Sequence, residues 1–340
     1  MRPTTKDLAR VAGVSLATVD RVLNDRPGVH RKTVEKVNSA IEELGFVRNA
    51  SAANLARGKI YRFVFLPPKT GDQFLGELLY RIDEANTAFS AEMIRIDVIR
   101  IPENDPHRIA ALLATLDPET VDGIAIMAPE SPQVRDAMLR LEERRIDTLS
   151  FISGQSRTTG GDAVGIDNRA AGATAGRLMG RFSGARSGKV LVIAETMQSR
   201  DSLERRLGFD QVINADFPNL QVLPSLETWG NQARAEKIVQ TSFASHPDIV
   251  GIYILTSEAR GPLQAIATAP HENGPVTIAH ERTPFTEAAL ISGELDAVIA
   301  QNPGHLVRSA IRILKARSDQ KEPLASQETI RIEILLKENI

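Results

Sequence analysis

The chain has no cysteine, which excludes disulfides, Cys-ligated zinc and thiol catalysis. Aromatic residues are scarce, 4% of 340 residues with a single tryptophan, so a pocket lined by several stacked rings is not expected. No run of about 18 apolar residues occurs, the length a membrane-spanning helix needs. The first residues, Met1-Arg2-Pro3-Thr4-Thr5-Lys6-Asp7, hold neither an apolar stretch nor a small-residue cleavage site. No export signal is visible there, and a cytoplasmic location is expected. Signatures of catalysis are also missing. "GARSGK" (184–189) has the wrong glycine spacing for a phosphate loop and precedes a strand, and "TGGDAVG" does not fit G-x-G-x-x-G. His280-Glu281 and His271-Glu272 lack the second histidine of a zinc helix, and no Gly-x-Ser-x-Gly is present. We therefore expect no catalytic residue, no metal site and no cofactor.

What is present is an ordinary globular composition, 42% apolar and 25% charged, on a chain long enough for two or three units. The net charge of −2 hides an asymmetry: residues 1–59 carry eleven Lys/Arg against six Asp/Glu, and the remainder thirty against thirty-seven. A basic head on an acidic body suggests that the head meets a polyanion.

The head reads as helices. Thr4 and Thr5 offer a cap, Leu8, Ala9 and Ala12 follow helical spacing, and Gly13 stops the run. Ser15 caps a second helix whose buried stripe is Val19, Val22 and Leu23; Asn24-Asp25-Arg26-Pro27-Gly28 is a turn cluster. A third helix carries Val34, Val37, Ile41 and Leu44 and ends at Gly45. Helix, Ala-Gly-Val turn and Ser-initiated helix form a helix-turn-helix pattern, the alternative being a generic three-helix bundle. The second helix would present Leu16, Ala17, Asp20, Arg21 and Asn24 outward, with Leu16 and Ala17 placed to touch base edges. Arg21 suits guanine or phosphate, and Thr18, near the helix N-terminus, suits a phosphate.

From Tyr61 the pattern becomes strands alternating with helices: "YRFVFLP" (61–67), "MIRIDVIRI" (93–101), "VDGIAIMA" (121–128), "DTLSFI" (147–152), "DAVGID" (162–167), "GKVLVIA" (188–194), "DIVGIYILT" (248–256), "GPVTIAHE" (274–281), "LDAVIAQ" (295–301) and "ETIRIEILL" (328–336). Helical stretches of about 10–15 residues between most of them are the mark of βαβ units. So many strands imply two parallel sheets and hence two lobes, with ligands favouring the cleft between them.

The stretches "TKDLARVAGVSLATVDRVLN" and "VHRKTVEKVNSAIEELGFVRNASAANLARG" resemble the headpiece of the lactose-repressor (LacI) family almost continuously. The body, through "GIDNRAAG" (165–172), "RRLGF" (205–209) and "DAVIAQNPG" (296–304), resembles the two-lobed type I periplasmic-binding fold, its ribose-binding branch above all. The resemblance implies an α-helical DNA-binding headpiece (1–48), a hinge (49–59) and an α/β effector-binding and dimerisation domain (60–340). Within the last, it implies one lobe of about 60–155 and 303–325 and another of about 156–302 and 326–340.

It further implies an effector-responsive regulator, a repressor acting as a homodimer on a pseudo-palindromic operator. Leu55 matches the hinge leucine that wedges into the minor groove, which bends the duplex. Thr5, Ser15, His30 and Asn49 complete the expected DNA contacts. In the cleft, Phe74 matches an aromatic that stacks on a sugar, Asp72 a polar contact, Arg205 an arginine that binds hydroxyls, Glu281 the usual aspartate and Gln301 a binding glutamine. Ser153, Arg200, Asp201 and Arg260 lie on adjoining loops. The effector so implied is a sugar, sugar acid or polyol. A solute-binding protein without regulatory role is the alternative, but it predicts an export signal and no basic head.

Several positions depart from the family. Asp20 stands where serine is common, and His30 where serine or threonine caps the third helix; a protonated His30 sits badly at a positive helix end. Ile152-Ser153 replaces an aspartate-arginine pair, and Thr256-Ser257-Glu258 replaces an Asn-Asp.

Overall fold

A computed structural model describes residues 3–23, 26–46, 59–102, 105–153, 163–269 and 274–340. The chain divides into two compact units, Met1–Ile60 with Ala91–Met93, and Tyr61–Ser90 with Ile94–Ile340.

The first unit holds helices α1 (Thr5–Ala12), α2 (Leu16–Leu23) and α3 (Arg31–Leu44). A capping box opens α1: the Asp7 N–H donates to Thr4 Oγ1 and the Thr4 N–H to Asp7 Oδ2 at 3.0 Å. Gly13 closes it at φ 64°, a left-handed conformation that glycine adopts without strain. Two residues later the Ser15 hydroxyl accepts from the Thr18 N–H at 3.1 Å and starts α2. Leu8, Ala12, Val19, Val37, Ala40 and Phe46 form the shared core. None of these short helices is stable alone, so this core is what holds them.

In the second unit, β1 (Tyr61–Leu66), β2 (Ile94–Val98), β3 (Gly123–Ile126), β4 (Asp147–Phe151) and β5 (Ala163–Val164) form a parallel sheet in the order β2-β1-β3-β4-β5. A second sheet runs β12-β11-β10-β9-β6-β7, from β6 (Gly188–Ala194), β7 (Leu220–Val222), β9 (Ile249–Ile254), β10 (Val276–His280), β11 (Ala297–Ala300) and β12 (Glu333–Leu335), with β8 (Leu226–Glu227) on β6. Only β12 is antiparallel to its neighbour. Strands buried on both faces, such as Gly123–Ile126 and Val276–His280, are continuous apolar runs because helices cover both sides.

Helices α4 (Gln73–Phe89), α5 (Pro106–Ala114) and α6 (Pro132–Glu143) follow strands of the first sheet; α7 (Asn168–Ser183), α8 (Arg200–Asp216), α9 (Gln232–Ser245), α10 (Arg260–Thr268) and α11 (Pro284–Ser292) serve the second. Helix α12 (Pro303–Ser318) leaves the second sheet and packs on α4 and β4 of the first, and the chain then returns through α13 (Ala325–Glu328) to β12. The chain thus crosses between lobes after β5, after β11 and before β12.

Two sequence expectations shift. "ETIRIEILL" is strand only at Glu333–Leu335, its first residue closing the short helix α13. β5 pairs with β4, so the first sheet continues past residue 155. Among the described residues no helix is long and apolar enough to cross a membrane.

Candidate functional site

On the headpiece, Thr5, Ser15, Leu16, Ala17, Asp20, Arg21 and His30 are exposed and Thr18 is half-buried. Leu16 is 47% exposed, an apolar side chain with no place in the core, at the first turn of α2. Ser15 Oγ and Thr18 Oγ1 lie 2.8 Å apart. Asp20 pairs with Arg26 at 3.3 Å, so the carboxylate braces a basic side chain across the following turn. His30 precedes α3 but its side chain makes no cap bond, as its chemistry leads one to expect. Asn24, Asn49 and Leu55 lie outside the described residues.

In the body, the C-terminal ends of β10 and β11 bring polar side chains together, beside the Leu255 carbonyl that follows β9. Glu281, directly after β10, is 2% exposed and held at φ 66°, a strained conformation for a non-glycine residue. Its Oε1 accepts from Gln301 Nε2 at 2.9 Å and from Arg205 Nη2 at 3.4 Å. Arg205, on α8 and 6% exposed, also donates from Nε to Asn168 Oδ1 at 2.8 Å and from Nη1 to the Leu255 carbonyl at 3.0 Å. Glu281 Oε2 and Gln301 Oε1 are buried and have no hydrogen-bond partner.

Burial pushes Glu281 up to about 7 against the pull of Arg205 and Gln301, and the charge of Asp72 adds to the rise. Burial likewise raises Asp201, opposed by Arg205. Behind this cluster Tyr253 stacks on Phe209 with ring centroids 4.5 Å apart, and its hydroxyl lies 2.7 Å from His280 Nε2. His280 is held neutral, its pKa driven well below the usual value by burial and by Arg205.

The other expected residues border this cluster or serve structure. Asp72 caps α4, its Oδ1 accepting from the Leu75 N–H at 3.0 Å, and its charge is felt at both Glu281 and Arg260. Arg260 is bound to Glu258 at 3.0 Å. Arg200 pairs with Glu204 at 2.7 Å and reaches Glu130 of the first lobe at 3.5 Å. Phe74 is 3% exposed and belongs to the hydrophobic core, so little of its ring is open to a ligand. Ser153 is half-buried just after β4. A second link between lobes runs from the Phe285 N–H to Gln73 Oε1, 3.3 Å.

Sequence reasoning missed Asn168, Tyr253 and His280. Asn168 was visible as a carboxamide at the first turn of α7, inside the "GIDNRAAG" stretch. Tyr253 carried only the weak signal of one polar tip inside an apolar strand. Among the described residues no three His, Asp or Glu side chains gather to hold a metal ion.

Residues 63–322 match the family described as periplasmic binding protein domain. The chain belongs to that family. Ahead of this periplasmic-binding-type body, residues 4–49 match the family of bacterial regulatory proteins of the lacI type, so a LacI-family helix-turn-helix domain is joined to a periplasmic-binding-protein-like domain. The HTH-type transcriptional regulator RegA of Clostridium saccharobutylicum is 33% identical over 141 residues, 42% of this chain and 40% of RegA. The matched stretch thus spans about two fifths of that relative's length. A periplasmic solute-binding protein of Actinobacillus succinogenes, solved with bound D-allose, superposes with a TM-score of 0.73 at 16% identity, covering 82% of this chain and 98% of that one. A protein of Bacteroides fragilis described as a LacI-type transcriptional regulator gives a TM-score of 0.71 at 20% identity, covering 83% of this chain and 98% of that one. These two show the fold shared by the body.

Proposed function

We propose that the chain is an effector-responsive, DNA-binding transcriptional regulator, a repressor that works in the cytoplasm as a homodimer on a pseudo-palindromic operator. A sugar or sugar-like molecule in the cleft between the lobes modulates its affinity for DNA. The observation that carries this reading is the union in one chain of a LacI-type headpiece with a two-lobed body in which Glu281, Gln301 and Arg205 meet beside the C-terminal ends of the second sheet's strands. Named similarity supports both halves: RegA is a regulator and the Actinobacillus protein a sugar binder. The relatives named are regulators and solute-binding proteins, and the cleft chemistry is that of recognition.

A head that presents Leu16, Ala17 and Arg21 and carries a surplus of basic residues is suited to a duplex, where cations supply affinity and base-edge contacts specificity. Selection from random duplexes, followed by titration across salt, tests it. The expected result is an enriched palindromic site and a loss of affinity of about 10³-fold or more between about 50 and about 200 mM salt. Salt-insensitive or absent duplex binding would favour a solute-binding protein without regulatory role.

A further inference from the structure

We propose that Asp20 and Arg26 form a clamp on the reading face of α2, in which the carboxylate keeps the Arg26 guanidinium from acting as a free phosphate-binding cation and so suppresses binding to non-operator DNA. The inference rests on the DNA-binding reading above and deepens it by giving these two residues a role in specificity.

Arg26 reaches that face from the turn that follows α2. Asp20 stands one helical turn after Leu16, so the two share a face, and both are exposed together with Ala17 and Arg21. Arg26 Nη1 lies 3.3 Å from Asp20 Oδ2, which places the guanidinium on the same face. Its backbone is fixed there: the Arg26 N–H donates to the Arg21 carbonyl at 2.9 Å, and Pro27 confines the residue before it to extended conformations. Gly28, left-handed at φ 95°, carries the turn past Arg21, since a Cβ there would lie 4.0 Å from Arg21 Nη1. Two arginines and one carboxylate thus gather on the surface that presents Leu16 and Ala17.

The size of the interaction decides what the pair can do. With its side chains 54% and 57% exposed, it adds little to folding stability. Near DNA the carboxylate competes with phosphates for the same guanidinium. Affinity for a random duplex comes almost wholly from phosphates neutralised and counterions released. A guanidinium already engaged by Asp20 contributes less to that sum, so non-specific binding falls. A free arginine on this face would hold any sequence; a paired one leaves recognition to the side chains that meet base edges. Direct repulsion between Asp20 and phosphates acts in the same direction, but it does not pass through Arg26.

A double-mutant cycle on the full chain separates the two routes. Wild type, Asp20→Ser, Arg26→Ala and the double variant are titrated with a short random-sequence duplex at several salt concentrations. Asp20→Ser should bind about two- to fivefold more tightly for each head engaged, the range an exposed ion pair spans. Its log–log salt slope should steepen by about 0.9 per phosphate newly neutralised. Arg26→Ala alone should change little, because the pair already holds that cation. Most of the gain from Asp20→Ser should vanish in the Arg26→Ala background and return with Arg26→Lys, which keeps a cation on the same turn. A gain mostly retained in the Arg26→Ala background assigns the effect to direct repulsion and overturns the clamp, as does an Asp20→Ser protein that binds like wild type. Weaker binding and a flatter slope in Arg26→Ala alone would mean that Arg26 already neutralises a phosphate, and overturns it too. On a duplex enriched by selection, Asp20→Ser should gain less than on the random one; an equal gain overturns the role in specificity. If wild type binds no duplex at all, the DNA-binding reading itself fails, and the clamp with it.

Discussion

Glu281 is where chemistry and backbone strain meet in one residue. Its carboxyl titrates near 4.5 when exposed and is pushed up to about 7 in the fold, because burial penalises its charge more than Arg205 and Gln301 favour it. The native state therefore keeps a proton that the unfolded chain releases between those values. The contribution of this one group to stability is greatest below about 4.5, falls as pH rises toward about 7, and is level beyond, with a slope no steeper than about 1.4 kcal/mol per unit for one proton. Glu281→Gln should remove this slope, as urea midpoints measured from pH 4.5 to 8 would reveal. An unaltered slope would assign the proton to another group.

Asp20 poses the opposite case, a charge in the open. It pairs with Arg26 at 3.3 Å, with both side chains more than half exposed, so the pair contributes little to stability. On the proposed function its effect falls on DNA instead, where the carboxylate would neutralise a cation beside the reading helix and repel nearby phosphates. Asp20→Ser should leave the melting temperature of the protein within a degree or two, raise non-specific duplex affinity several-fold and steepen its salt dependence. Identical affinity and identical selected sequences would make Asp20 a bystander.

At the scale of elements, the cluster depends on two helices packed backbone to backbone. A Cβ on Gly172 of α7 would overlap the Arg205 carbonyl of α8, and one on Gly208 would overlap the Arg169 carbonyl of α7. The helices can approach this closely only because glycine stands at both points, and the approach sets Arg205 beside Asn168. Gly172→Ala should push α8 outward, cost about 1–3 kcal/mol as an overpacked contact and weaken effector binding through displacement of Arg205. Denaturation midpoints and ligand titration would check the two effects together; loss of stability with full ligand affinity would uncouple the packing from the site.

Here the limits of the sequence become clear. Strand positions such as Val276–His280 were legible because a strand buried on both faces is a plain apolar run. The helix-turn-helix was legible because Gly13 and Ser15 are local signals, a left-handed stop and a side-chain cap. Arg205, Glu281 and Gln301 could be named as candidate site residues through family resemblance. What could not be read was that Arg205 places three of its five N–H donors inside the protein, that Phe74 lies in the core, or that Tyr253 and His280 form a hydrogen-bonded pair. Those facts depend on contacts between residues far apart in the chain, which neither spacing nor propensity encodes.

At the scale of the whole molecule, regulation requires that the effector prefer one of two arrangements. Glu130–Arg200 and Gln73–Phe285 link the lobes by single contacts between half-exposed groups, and three chain crossings join them. Polar links between half-exposed groups can be remade by a ligand, but a ligand shifts the balance only as far as its affinities for the two arrangements differ. On the proposed function, saturating effector should change operator affinity by about 5–150-fold, and saturating operator must change effector affinity by the same factor. Leu55→Ala should weaken operator binding while leaving effector affinity for the free protein intact, because an apolar wedge acts only on a bent duplex. Measuring all four dissociation constants of the cycle at one salt concentration decides the matter. A coupling factor of one, with both ligands bound, would mean that the head and the cleft share a chain without sharing an equilibrium.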